Sequence, residues 1–369
     1  MLKLLIDHQT FSMQKYGGIS RYFTNIQHSL EQREDIQSKV GILYTPNHYL
    51  KEYPAPLNNA LGRLLLKKSD KCYKWNKQYS KYLMLKNNYD VLHPSYYHPY
   101  FLKYNKKPFV ITVHDMIHEL FPEHFVPNDI NVKYKRICVE NAAHIIAISE
   151  STKQDLINIL QVDPQRITVI HHGYQMNTQE PSGLQNTYNN TSMENYILFV
   201  GDRKSYKNFP VLLTSIHPLL AENKEMKLYC AGGGSFTINE LEIIKHLNLE
   251  NKILQFNATD QELKSLYQNA LAFVFPSLYE GFGLPILEAF KNNCPVIASD
   301  NACFREIGGN AISYFDPYDL NSILCTIKEV VTNSLLAKTI VKNGKLRLKK
   351  FSMQSCMDKT ITVYQSLSK

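Results

Sequence analysis

Residues 272–288 read Ala272-Phe273-Val274-Phe275-Pro276-Ser277-Leu278-Tyr279-Glu280-Gly281-Phe282-Gly283-Leu284-Pro285-Ile286-Leu287-Glu288. Four apolar residues make a short strand, a glycine-rich turn follows, and a helix opens with Pro285 in its first turn. Proline is at home there, because a missing N–H leaves no helical hydrogen bond unmade. Short apolar runs alternating with helical patterns are the signature of an α/β fold built on parallel sheet.

The alternation extends in both directions. In the second half, strands are predicted at Tyr196–Val200, Lys227–Ala231, Ile253–Phe256, Ala272–Phe275, Val296–Ala298 and Ala311–Phe315. In the first half they are predicted at Leu2–Ile6, Val40–Tyr44, Phe109–Val113, His144–Ile148 and Ile167–Ile170. Between the first two of these, Ile19, Phe23, Ile26 and Leu30 recur at the spacing of one helical face. A polar stretch at 175–195, rich in Asn, Thr, Gln and Ser, reads as an interdomain linker. The 369 residues therefore divide into two doubly wound domains, 1–174 and 196–352. The helical pattern at 353–369 is expected to cross back to the first.

Composition narrows the setting. Hydrophobic residues at 44% suffice for substantial cores. The 7 cysteines are scattered and never form C-x-x-C, which favours buried thiols in a reducing compartment over a disulfide framework or zinc ribbon. The apolar N-terminal run is too short for a signal peptide, and no stretch is long enough to span a bilayer. A cytoplasmic protein is expected, and the sequons at Asn189, Asn190 and Asn257 carry no weight. Lys and Arg outnumber Asp and Glu by 41 to 33, a net charge of +8 that suits nucleic acid, acidic lipid or phosphorylated small molecules alike.

Four elements could carry chemistry. Glu280 and Glu288 flank the Gly281–Gly283 turn at a helix N-terminus, an arrangement that suits a hydroxyl-rich ligand. A glycine-containing loop with two solvated glutamates would read the same. Tyr16-Gly17-Gly18-Ile19-Ser20-Arg21 is a second glycine turn before a helix, able to cradle phosphate or simply to turn. Val200-Gly201-Asp202-Arg203-Lys204-Ser205-Tyr206-Lys207-Asn208 puts cations after a strand, where open α/β sheets bind anions; a solvated basic turn would read the same. Thr112-Val113-His114-Asp115, with His118 and Glu119 behind it, also follows a strand. His114 there fits a base, a metal ligand, an oriented donor or simply a satisfied loop histidine, and the spacing matches no zinc motif.

Together the four elements resemble the retaining glycosyltransferases of family 4, which have the GT-B fold of two Rossmann-like domains facing each other across a cleft. The resemblance covers nearly the whole chain. The family's E-x7-E signature is met by Glu280 and Glu288, and the match continues through Pro295-Val296-Ile297-Ala298-Ser299 and Glu306-Ile307-Gly308-Gly309. Ile146-Ala147-Ile148-Ser149-Glu150-Ser151 and Val169-Ile170-His171-His172-Gly173 resemble two further family junctions, with His172 where an Asn commonly stands.

The resemblance implies that Arg203 and Lys207 grip a donor diphosphate and that Glu288 binds the nucleotide ribose. Glu280 with Gly281, Phe282, Gly283 and Leu284 would hold the sugar. Gly17 and Gly18 would approach the phosphates, and His114 the sugar and acceptor. The family's usual Gly-Arg and Lys-Gly are here Gly-Asp-Arg and Lys-Asn, so Lys207 is the firmer assignment and Lys204 could share the role of Arg203. The implied activity is hexosyl transfer from a GDP- or UDP-sugar to a glycan or lipid-linked acceptor in surface polysaccharide synthesis. No metal or other cofactor is expected, the nucleotide diphosphate sugar being a substrate.

Rival readings remain open at this level. A sugar-nucleotide epimerase, a phosphorylase or a non-catalytic nucleotide-sugar-binding relative shares the architecture. An oxidoreductase lacks its dinucleotide fingerprint, and no recognition module supports nucleic-acid binding. The segment 61–86 is basic, with Leu61, Leu64, Leu65, Trp75, Tyr79, Tyr82 and Leu83 at roughly helical spacing. It fits either a peripheral membrane contact or a core-facing helix with a solvated lysine face. The aromatic run at 96–101 could stack on an acceptor sugar or pack internally.

Overall fold

The computed structural model describes residues 1–174 and 195–368. All of the expected linker except Asn195 lies outside the described residues, as do the sequons at Asn189 and Asn190. The chain forms two compact units, Met1–Gly173 with Met353–Lys369, and Tyr174–Ser352.

In the first unit, β1 (Leu2–Ile6) pairs in parallel with β2 (Ile36–Val40) and β3 (Val91–His93). A second parallel set comprises β4 (Val110–Val113), β5 (His144–Ala147) and β6 (Ile167–Val169). A parallel bridge between Leu92 and Phe109 joins them in the order β2-β1-β3-β4-β5-β6. Side chains alternate across a strand, so this sheet feeds two cores. Leu4, Ile6, Val110 and Ile146 enter one; Leu5, Ile111, Val113 and Ile145 enter the other. The helix Gly18–Glu31 buries Tyr22, Phe23, Ile26 and Leu30 in the first core. The helix Met353–Leu367 adds Met357, Ile361 and Tyr364 to the same core.

Two strand assignments change. Of the apolar run Val40–Tyr44 only Val40 is in a strand, as the last residue of β2, Ile36-Gln37-Ser38-Lys39-Val40. β2 is a sheet edge, where polar residues are tolerated, and only its two ends are buried. The rest of the apolar run instead forms a buried connection, with Leu43 N donating to Asn76 Oδ1 and Asn76 Nδ2 donating to Tyr44 O. β3 went unread because three residues are too few to show a period.

In the second unit, β7 (Tyr196–Val200), β8 (Lys227–Ala231), β9 (Ile253–Phe256), β10 (Ala272–Phe275), β11 (Val296–Ser299) and β12 (Ser313–Phe315) form one parallel sheet. Its order is β12-β11-β10-β7-β8-β9. That is the doubly wound order of dinucleotide-binding folds, and winding reverses between β7 and β10. Loops leave the carboxyl ends of those two strands in opposite directions and open a crevice, which is where such sheets bind ligands.

Among the described residues no helix is long and apolar enough to cross a membrane. The basic segment forms the helices Ala60–Leu66 and Ser69–Lys86. The core-facing reading holds for only part of the stripe: Leu83 is buried and Tyr79 packs against the core, whereas Leu61, Leu64, Leu65, Trp75 and Tyr82 are exposed. Residues Tyr97, Tyr100 and Phe101 of the aromatic run are buried and pack in the core beside Leu5.

Candidate functional site

Lys207 follows β7 and Glu280 follows β10, the two strands at the switch point. Lys207 Nζ donates to Glu280 Oε1 at 2.5 Å, with both side chains about 15% exposed. The lysine also lies over the Phe275 and Tyr206 rings, at 5.5 and 5.2 Å. Leu278 N donates to Tyr206 O at 2.9 Å, so the backbone ties the two loops together as well. The residue after Lys207 explains the Lys-Asn departure. Asn208 stands at φ 58°, in the left-handed region that glycine and asparagine share, and its Nδ2 donates to Pro317 O.

The Gly281–Gly283 turn is held from behind. Phe282 is buried against Phe351, with ring centroids 5.8 Å apart, and its carbonyl accepts from Cys303 Sγ. Only the backbone of Phe282 is therefore available to a ligand. Gly283 caps the helix Leu284–Lys291 at φ 96°, and a Cβ there would press on Ile286 and Phe304 at 3.1 and 3.2 Å. Glycine brings no side-chain cap to that helix end. Glu288, one turn in, is half-buried and accepts from Tyr267 Oη at 3.3 Å. Beside this turn the Ser277 and Ser299 hydroxyls are buried without a hydrogen-bond partner among the described residues. Ser277 follows β10 and Ser299 ends β11; neither was read as a site residue from the sequence.

Arg203 is placed differently from Lys207. Its Nε donates to Glu240 Oε1 at 2.9 Å, Nη1 to Gly232 O, and Nη2 to Gly234 O and Ser235 O. The side chain is 3% exposed and lies over Phe236. It thus fixes the Gly232-Gly233-Gly234 loop after β8, where each glycine has positive φ and a Cβ on Gly233 would meet the guanidinium at 2.8 Å. Three consecutive glycines after a strand were the available signal for this loop. Lys204 is exposed and pairs with Asp202 at 3.2 Å. Replacing Arg203 with Met is expected to destabilise the second unit by about 3–5 kcal/mol, because it leaves the Glu240 carboxylate buried and unpaired. Denaturant unfolding of the variant checks this; unchanged stability with a loss confined to donor affinity would refute the structural role.

In the first unit, Gly17 and Gly18 open the helix Gly18–Glu31 beside Gln14, whose Oε1 accepts from Ser20 N at 3.2 Å. Gly18 is exposed. His114 follows β4 and does not pair with its neighbour Asp115. Its ring lies edge-on to Tyr22 at 5.4 Å and is stacked with His172 at 5.9 Å. Its Nε2 is buried with no partner among the described residues. Burial, with a smaller contribution from Lys135, lowers the His114 pKa to about 3. A neutral imidazole of that kind serves as an oriented hydrogen-bonding group rather than as a base near pH 7.

Two networks hold His114. Thr112 Oγ1 bonds the Tyr22 hydroxyl and His93 Nε2, and His93 Nδ1 bonds the Tyr364 hydroxyl at 2.7 Å. On the other side, His114 N donates to Tyr97 Oη at 3.1 Å. The 1%-exposed Lys135 donates to Asp115 O and Glu119 Oε2, pinning the loop after His114. His118 instead bonds Asp129. Lys135 and Tyr364 were not read as site-supporting residues; each lies too far along the chain from His114 for spacing to link them.

Two family models match the chain: Glycosyltransferase Family 4 over residues 16–177 and Glycosyl transferases group 1 over residues 184–347. The chain belongs to glycosyltransferase family 4. This family 4 glycosyltransferase is 28% identical to the O-antigen chain mannosyltransferase RfbU of Salmonella typhimurium over 60% of each chain. It is 25% identical to O-antigen chain mannosyltransferase B of Escherichia coli over 73% of each. The match to RfbU thus spans less than two thirds of that relative's length. Among solved structures, sucrose-phosphate synthase from Thermosynechococcus elongatus superposes with TM-score 0.74 at 18% identity, over 100% of this chain and 99% of that one. Anabaena HepE in complex with UDP-glucose gives 0.72 at 16% identity over the full length of both. These likenesses establish the GT-B fold.

Proposed function

We propose that the chain transfers a hexose, with mannose the first candidate, from a nucleotide diphosphate sugar to a glycan or lipid-linked acceptor with retention of configuration. The Lys207–Glu280 pair at the β7/β10 switch point carries this reading. A cation and a carboxylate meet there beside a glycine turn and a helix N-terminus, so one site offers charge for a diphosphate and acceptors for sugar hydroxyls. The names of RfbU and its Escherichia coli relative support mannose and a surface-polysaccharide setting.

When the sugar–oxygen bond breaks, negative charge grows on the departing diphosphate. Lys207 is fixed before the reaction and neutralises that charge without reorganising. Its pairing with Glu280 holds the two side chains together until a donor arrives; the phosphate then competes for Lys207 and frees Glu280 for sugar hydroxyls. Gly281 to Leu284 contribute backbone amides, Glu288 the ribose contact, and Gly17 and Gly18 a second approach to phosphate. His114 supplies a neutral hydrogen bond near sugar and acceptor. In this reading Arg203 shapes the Gly232–Gly234 loop rather than gripping phosphate.

The test is a thermal-shift and turnover screen with GDP-mannose, UDP-glucose, UDP-N-acetylglucosamine, free GDP and UDP, and NAD. A ligand of the folded state at 100 times its Kd adds about 2.7 kcal/mol of stability. The expected result is a raised Tm with GDP-mannose and a glycosylated product when acceptor is added. No shift with any nucleotide sugar, or release of an epimerised or phosphorylated sugar instead, would overturn the proposal.

A further inference from the structure

The helices Ala60–Leu66 and Ser69–Lys86 are built inside out. The inward stripe of the longer one carries Cys72, Asn76 and Ser80 before Leu83 and Met84. It docks partly by hydrogen bonds: Asn76 Nδ2 donates to Ser12 Oγ and Tyr44 O, and Ser80 Oγ donates to Gly41 O. The outward stripe carries Trp75, Tyr82 and Leu85, which are 55%, 50% and 64% exposed. The shorter helix behaves in the same way. Gly62 and Leu66 face inward, while Leu61, Leu64 and Leu65 are 55%, 80% and 52% exposed.

This outward display is fixed by backbone contact. Asn59 Oδ1 accepts from Gly62 N at 3.0 Å, and a Cβ on Gly62 would lie 1.7 Å from Leu57 O. Only glycine allows that approach, and it sets which side of the helix meets the protein. Leu61, Leu64 and Leu65, spaced at i, i+3 and i+4, then share the opposite side.

The exposed apolar groups are set among cations. Arg63, Lys67, Lys68, Lys71, Lys74, Lys77, Lys81 and Lys86 lie within the segment, against Asp70 as its one acidic residue. Lys86 lies over the Tyr82 ring at 4.7 Å and Lys81 over Tyr104 at 4.9 Å. Leucines and a tryptophan interleaved with lysines match the layering of a bilayer surface, where apolar groups enter the acyl boundary and ammonium groups meet lipid phosphates. A second copy of the same face would oppose cation to cation.

We propose that this face docks the protein on an anionic lipid bilayer. Leu61, Leu64, Leu65, Trp75 and Leu85 enter the interface, and Lys67, Lys68, Lys71 and Lys74 engage the headgroups. The proposal goes beyond sugar transfer and stands or fails independently of it.

Trp75 is the chain's single tryptophan, so its fluorescence reports this face alone. The full chain is titrated with phosphatidylcholine vesicles with and without phosphatidylglycerol, and with brominated lipid as quencher. The expected result is a blue shift and quenching with the anionic vesicles only. Lys67→Gln/Lys68→Gln/Lys71→Gln is expected to weaken partitioning about 100-fold, at roughly a factor of five per charge removed. Leu64→Glu/Leu65→Glu is expected to weaken it by a similar factor. All five side chains are exposed, and unchanged circular dichroism and Tm verify the fold. The proposal is overturned if anionic vesicles leave Trp75 emission unchanged, or bind the protein without bromine quenching. It is also overturned if the substitutions leave binding intact, or if the blue shift arises without lipid as protein concentration rises.

Discussion

Lys207→Ala is expected to lower kcat/KM for sugar transfer by about 100- to 1,000-fold, the effect typical of removing one preorganised group that meets developing charge. Glu280→Gln is expected to lower it by a comparable factor, because the amide keeps the shape but cannot hold Lys207 or accept as strongly from sugar hydroxyls. Both side chains retain some solvent contact, so the fold survives either change. The decisive variant exchanges the two, Lys207→Glu with Glu280→Lys. It can rebuild an ion pair and so recover stability, yet it places a carboxylate where the diphosphate must bind. Restored Tm with abolished transfer is the expected outcome, measured as radiolabelled sugar incorporated against melting temperature. Lys207→Ala within threefold of the parent enzyme would remove the site from this place.

The unit Met1–Gly173 with Met353–Lys369 is expected to lose stability steeply between pH 6.5 and pH 5. His8, His93, His114 and His172 each have a pKa lowered to about 3, in every case chiefly by burial. The unfolded chain takes up these protons near pH 6.5, whereas the folded unit refuses them until about pH 3. Stability is thus fully present above pH 6.5 and falls as the medium acidifies toward the folded values. At pH 5 each histidine removes about 2 kcal/mol, and the four together about 8 kcal/mol, comparable to the whole stability of an ordinary domain. Asp7 acts in the opposite sense, since burial raises its pKa and favours the folded unit on acidification. Urea unfolding at pH 7 and pH 5 measures the difference. His114→Gln, which removes a ring with no Nε2 partner among the described residues, is expected to flatten the slope by about 1.4 kcal/mol per pH unit. Equal stability at the two pH values would contradict the burial of these rings as neutral groups.

Much of the architecture was legible because its signals are local. Strand, glycine turn and helix at 272–291 all lie within one short window, and so does the apolar face of Gly18–Glu31. β2 and β3 escaped because one is a polar edge strand and the other has three residues. Within the site, Lys207 and Glu280 were legible as types of residue following strands, but Arg203 looked equally suited to phosphate. Its partner Glu240 lies 37 residues away, on a helix after a different strand. Charge in a loop shows that an anion is needed, not whether that anion is a ligand or the protein's own carboxylate.

By itself the sequence determined the α/β class, the family, the glycine turns and the carboxylates that flank one of them. Each is set by composition and short-range spacing, through backbone geometry and helix-end electrostatics. Tertiary structure alone decided which strands meet at the switch point, and so which two loops bring a cation to a carboxylate. It also decided that Arg203 is consumed within the fold, that His114 is neutral, and that Leu61, Leu64, Leu65 and Trp75 face outward. Those outcomes depend on burial and on partners distant in the chain, which periodicity does not encode.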